Sequence, residues 1–259
     1  MQYFVLNFQA FLLVLVRINA MIMIAPFFSS GVIPFRVKAL LSFLITLVVF
    51  PVLSATSVKV PGNMGAYYLL VLQEAMIGIY IGFLISVIFS AFQLSGQYYS
   101  AQIGFGINEV LDPLGQISVP IIGQLKNFIG LLVFLAINGH HFLIEAVCRS
   151  FELAPVFGIG KAAAGGYLKY MVYAFSGMFI VALKIALPVL AVSFLISVTM
   201  GVLSKAAPQM NIMMLGFPFQ ILAAYGLLII TTPLIVRIMQ VAIERSFKML
   251  TKVLIYWPG

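Results

Sequence analysis

The sequence predicts an all-α integral membrane protein of about six long hydrophobic helices, some of them kinked, and two observations carry that prediction. Of the 259 residues, 63% are apolar and 8% charged, and the mean hydropathy is +1.17. Soluble domains run near half apolar and a quarter charged. The apolar residues also gather into blocks long enough to cross a bilayer, which takes about 20 residues of helix. Fourteen Lys and Arg against six acids give a net charge of +8. Those cations are scattered over apolar segments and form no stripe for nucleic acid, so they are expected to orient helices and touch anionic lipid.

The first block, Phe4 to Ala25, follows a start with no positive n-region and no small-residue cleavage site. It is expected to be a retained first helix, not a removed signal peptide. It holds Arg17, and a charge at membrane depth normally faces protein or water. A turn-rich connection, Pro26 to Lys38, leads to the second block, Ala39 to Ser57, and the linker Val58 to Ala66 to the third, Tyr67 to Phe92. The third block carries Glu74, whose charge an ion pair with Arg17 would make tolerable, and the small-xxx-small pair Gly78 and Gly82, which lets two helices approach closely. A polar, aromatic stretch, Gln93 to Gln102, follows it.

Gly104 to Pro120, GFGINEVLDPLGQISVP, is unlike its surroundings. Gly104, Gly106, Pro113, Gly115 and Pro120 break any continuous helix, yet Phe105, Ile107, Val110, Leu111 and Leu114 are too apolar for an ordinary solvated loop. Such a segment, bearing Glu109 and Asp112, must lie on a membrane surface or fill a protein cavity. The charges in the blocks on either side favour the cavity.

The fourth block, Val119 to Ile137, contains Lys126 and ends at Asn138-Gly139-His140-His141; a mixed stretch follows to Gly166. The fifth, Tyr170 to Met200, is about 46 Å as straight helix, longer than a hydrocarbon core of about 30 Å. Lys184 and Pro188 interrupt it, so it should kink or stand in protein. A polar link, Ser204 to Asn211, leads to the last block, Ile212 to Val236. Beyond it, Arg237, Arg245, Lys248 and Lys252 fall near one helical face, with Val241 intruding. That tail reads as a basic amphipathic helix for a membrane surface or a partner.

Six crossings put both termini on the side that collects more Lys and Arg, the cytoplasmic side. Arg17, Glu74, Lys126 and Lys184 remain at membrane depth, which points to helices packed against other subunits or lining a wet channel. His140, His141, Glu145 and Cys148 are the one candidate metal or acid–base cluster, and no HExxH or further Cys or His completes a zinc spacing. P-loop, dinucleotide and nucleophile-elbow signatures are absent, so the expectation is no enzyme, no metal and no cofactor.

Several features in order make the sequence similar to the FliR family of flagellar type III export-gate proteins. They are Arg17 with Pro26-Phe27 and the Pro34 to Lys38 turn; Glu74 with Gly78 and Gly82; Gln93 with Gly96; Gly104-Phe105 through Asp112-Pro113 to Pro120; Asn138-Gly139-His140; and Lys205, Pro208-Gln209, Asn211 and Pro218. The resemblance runs nearly end to end. It implies helical hairpins assembling into a pore complex in the bacterial inner membrane, at the flagellar basal body. There the chain is present once, with several FliP-like and FliQ-like subunits and an FlhB-like protein, and unfolded polypeptides are the substrate. It further implies a FliP-like part over residues 1–169, a FliQ-like hairpin over 170–236 and the basic tail over 237–259. In the family, the loop matching 104–120 plugs the lumen, which assigns that role to Gly104, Phe105, Gly106, Ile107, Val110, Leu111, Asp112 and Pro113. The corresponding injectisome subunit is the nearest alternative. A stand-alone secondary transporter, with a midplane substrate site and no need of partners, is a more distant one.

Overall fold

A computed structural model describes residues 2–31, 33–53, 61–103, 121–154, 161–207, 209 and 212–257. Among them the chain is helical throughout, with no strand: α1 (Gln2–Ile24), α2 (Phe35–Leu53), α3 (Met64–Ile103), α4 (Ile121–Ala136), α5 (Gly139–Leu153), α6 (Lys161–Ala206) and α7 (Ile212–Ile255). Five of these are long and apolar enough to cross a membrane, and the pair α4 and α5, bent by 68° at its break, counts as a sixth.

Several boundaries differ from those the sequence predicts, among them α6, which runs 46 residues and begins before Tyr170. The polar stretch after Phe92 does not end a helix; α3 continues through it for 40 residues in all. The mixed stretch after Asn138 contains a helix, α5. The tail beyond Val236 is no separate element but the end of α7, which runs 44 residues. At 1.5 Å per residue α3, α6 and α7 have contours of about 60–70 Å, roughly twice a hydrocarbon core. Pro188 lies inside α6, and Pro218 and Pro233 inside α7.

The chain forms two compact units. One comprises Met1–Val87, Phe134–Phe175 and Ile243–Gly259; the other Ile88–Val133 and Ser176–Ala242. In the first, α1 buries Leu13, Val14, Arg17, Ile18, Met21 and Ile22, pairs repeating every four residues and hence one stripe of the helix. At one edge of that stripe α1 meets α2, where Phe11 packs edge-on to Phe43 and Phe50 with centroids 5.7 and 5.5 Å away. The turn between α4 and α5 is made by Asn138, at φ 57° in the left-handed region that Asn tolerates better than most residues. A side chain at the next residue, Gly139, would run into the Phe134 ring.

In the second unit Tyr99, Ile122, Val189 and Ala224, from α3, α4, α6 and α7, form one buried cluster. α3 is the most enclosed helix, with 67% of its membrane-length window buried against 11% for α7. A helix enclosed on all sides can carry polar residues only where protein groups satisfy them.

Candidate functional site

Two buried cations organise the described residues, one in each unit. Arg17, in mid-stripe on α1, is fully buried. Its Nε donates to Glu74 Oε2 on α3 at 2.5 Å, and a second guanidinium nitrogen donates to Ser150 Oγ on α5 at 2.9 Å. The Ser150 hydroxyl donates in turn to the Val147 carbonyl at 2.6 Å, and the Phe151 ring centroid lies 4.1 Å from the guanidinium carbon. One side chain thereby ties three helices, using the planar fork that distinguishes Arg from Lys. Two glycines of α3 let α1 come this near. A Cβ on Gly78 would overlap the Arg17 carbonyl oxygen, and one on Gly82 would stand 3.0 Å from the Met21 oxygen. The small-xxx-small pair therefore faces α1 of the same chain.

Lys126, on α4, is 2% exposed. Its Nζ sits 3.1 Å above the centre of the Tyr99 ring and 3.3 Å from Ser95 Oγ, both on α3. Ser95 donates to the Phe92 carbonyl at 2.6 Å, and the Tyr99 hydroxyl donates to the Ile185 carbonyl on α6 at 2.9 Å. Among the described residues no carboxylate pairs with Lys126. The charge is held by a ring face and a hydroxyl. Nearby, Gly96 of α3 lies against Gly123 of α4 so closely that a Cβ on Gly96 would overlap the Gly123 backbone, and Gly130 accepts the Phe92 ring in the same way. Gln220 of α7 donates to the Gln102 carbonyl at 2.6 Å, one residue before α3 ends. The helices leading into and out of 104–120 are thus fastened to each other next to that segment.

Gly104, Phe105, Gly106, Ile107, Val110, Leu111, Asp112 and Pro113 lie outside the described residues. Of the four charges expected to be buried by subunit packing, Arg17, Glu74 and Lys126 are buried by the chain's own helices, whereas Lys184 is exposed on α6. Residues at both nodes were given no packing role by the sequence reading: Ser95 and Tyr99 stand in the polar, aromatic stretch after the third block, Gly96 entered only through the family resemblance, and Ser150 and Phe151 stand in the mixed stretch. Their signal was small and hydroxyl residues at helical spacing from apolar ones. Glu145 pairs with Arg149 at 2.6 Å on the exposed side of α5, and among the described residues no three His, Cys, Asp or Glu converge on a metal position.

The geometry is that of a framework, built to hold helices in register. A family model described as bacterial export proteins, family 1, matches residues 8–246. The flagellar biosynthetic protein FliR of Bacillus subtilis (strain 168) is 30% identical over 230 residues, 86% of each chain. That of Escherichia coli (strain K12) is 28% identical over 94% of this chain and 92% of its own. That of Buchnera aphidicola subsp. Schizaphis graminum is 31% identical over 83% and 81%.

Proposed function

We propose that this chain, which belongs to the bacterial export proteins, family 1, and within them to the FliR family, is a non-enzymatic structural subunit of the flagellar type III export gate that forms part of its pore and supplies the plug. The observation that carries the reading is similarity over most of both chains to proteins named for flagellar biosynthesis. Several physical features support it. Three helices, α3, α6 and α7, are about twice as long as a bilayer requires, as suits a gate that extends out of the inner membrane. The helices leave broad apolar faces uncovered, such as Leu44, Leu47, Val48 and Val52 on α2 and Phe179, Leu183, Leu187 and Phe194 on α6. FliP-like and FliQ-like subunits and an FlhB-like protein would cover those faces, with Lys184 among the residues they meet.

The plug is residues 104–120, with Phe105, Ile107, Val110 and Leu111 resisting wetting at the constriction. A segment broken by Gly and Pro can be pushed aside by an unfolded polypeptide without melting a helix. The framework around Lys126 and Gly96 keeps its two flanking helices together while it moves. Deleting Gly106 to Gly115 tests this: ions should leak through an assembled gate. Unchanged conductance with normal export would remove the plug from the account. Affinity purification of the tagged chain should bring down several FliP-like and FliQ-like chains; a stable monomer that transports a solute would replace the whole reading with a transporter.

A further inference from the structure

Of the four ionisable residues expected at membrane depth, Lys184 alone stands outside the packing of the described helices. α6 turns Ala182, Ile185, Ala186, Val189 and Ser193 inward, and its Ile185 carbonyl takes the Tyr99 hydroxyl of α3. At 3.6 residues per turn, Lys184 falls on the opposite side of the helix. Gly177, Ile180, Leu187, Ala191 and Leu195 share that side with it at spacings of three and four residues, so the six form one face. Ile180, Leu187 and Leu195 are each more than half exposed, and a Cβ on Gly177 would meet nothing within 4 Å. No described residue bonds the Lys184 amine.

Such a face makes two demands. Water, as in an open lumen, hydrates the amine but leaves three large apolar side chains uncovered. Lipid covers those side chains but leaves a cation unanswered. Setting Lys184 at the headgroups does not reconcile the two. No other Lys or Arg stands on α6 between Lys169 and Lys205, and the surface is apolar on both sides, with Ile180 before Lys184 and Leu187 and Leu195 after it. One of those sides would then stand in water. An apolar helix bearing one carboxylate meets both demands, and the chain shows the arrangement internally. α3 lies on the buried stripe of α1 and sets Glu74 on Arg17, with Gly78 and Gly82 admitting the close approach. Gly177 and Ala191, about two turns to either side of Lys184, give the same allowance. A second copy of this chain has no such helix to offer. Arg17 takes Glu74, Arg149 takes Glu145, Glu152 ends the short α5, and Glu244 stands beside Arg245 and Lys248. Glu109 and Asp112 belong to the sequence that Gly and Pro interrupt.

We propose that this face of α6 seats an apolar helix of a different chain, which carries a single carboxylate and sets it on Lys184. The inference rests on the reading of the chain as a gate subunit and names the chemistry by which one partner is recognised. Lys184 fixes the partner's register, as a lone polar residue does in an apolar helix seam.

The test uses the tagged full chain purified with its partner chains in mild detergent. Lys184→Glu should cut recovery of one partner chain about tenfold, because two carboxylates then meet, whereas Lys184→Arg should keep it. Each variant purified by itself should melt with the wild type, since Lys184 bonds nothing described. Dicyclohexylcarbodiimide, an apolar reagent that activates carboxyl groups away from water, should join Lys184 through an amide to an Asp or Glu in an apolar helix of that same partner. Lys184→Arg should lose this link while keeping the partner, and changing the linked acid to Lys should restore recovery with Lys184→Glu. Undiminished recovery in Lys184→Glu, beside normal wild-type recovery, overturns the inference and leaves the gate reading standing, because Lys184 then faces water or lipid. A link to a second copy of this chain also overturns it. A wild-type chain that recovers no partner removes the gate reading and this inference together.

Discussion

Arg17, on the membrane-length α1, and Lys126, on α4 of the bent pair, are both basic side chains removed from solvent, yet the chain tolerates them by opposite means. Arg17 has a counter-charge, a hydroxyl and a ring, and its node is electrically neutral. Lys126 has a ring and a hydroxyl alone among the described residues, and its node contains no counter-charge. A guanidinium fork engages two partners on two helices at once, which suits a junction of three helices. An ammonium is a compact point charge that rests on a π face while its flexible stem packs among apolar neighbours. Burial therefore means different things at the two sites. At the first, each charge depends on the other; at the second, no described carboxylate depends on the lysine.

That contrast orders the expected effects of substitution, read as thermal unfolding of the detergent-solubilised full chain. Arg17→Met should be the most damaging, at about 3–5 kcal/mol, because it strands Glu74 without its partner. Arg17→Met/Glu74→Leu should recover most of that loss; a double variant no better than the single one would break the ion-pair account. Reversing both charges should likewise restore assembly that either single reversal destroys. Next comes Gly96→Ala, expected to lose about 1–3 kcal/mol as the two helices are forced apart. Gly226→Ala, where a Cβ meets nothing within 4 Å, is the matched control and should be neutral. Tyr99→Phe keeps the ring under Lys126 but removes the bond to the Ile185 carbonyl, about 0.5–1.5 kcal/mol. Lys126→Met should be smallest, within about 1 kcal/mol, since it removes a buried charge and leaves no described carboxylate unpaired. If Lys126→Met proves as damaging as Arg17→Met, the lysine has an unseen counter-charge and the contrast collapses.

Much of this was legible in the residues. The apolar blocks gave the helices, because a chain cannot leave backbone groups unsatisfied in lipid. Arg17 and Glu74 announced a pair, since each alone in an apolar block is too costly. Gly78 and Gly82 announced a close helix approach, and Arg245, Lys248 and Lys252 an exposed face. The stretch from Gln93 to Gln102 was not legible. Its polarity looks like a membrane boundary, yet Ser95 and Tyr99 satisfy their hydroxyls on carbonyls inside the fold, so the helix continues. α5 was missed for a related reason: its exposed side carries the Glu145–Arg149 pair, so its hydropathy is low while Leu143, Ala146, Val147 and Ser150 are buried.

By itself, then, the sequence determined class, the number of long apolar blocks and which charges needed an explanation, because hydrophobic transfer and backbone satisfaction act on local stretches of chain. Only the tertiary structure decided who answers each charge. Ser150 and Phe151 reach Arg17 across more than a hundred residues of chain, and Tyr99 reaches Lys126 across the 104–120 segment. Those partners are chosen by where helices cross, and glycines set how closely α1 meets α3 and α3 meets α4. The end of α7 shows the same division: its cationic face follows from helical spacing, whereas the loss of its apolar face to Phe142 and Phe134 is a fact of packing.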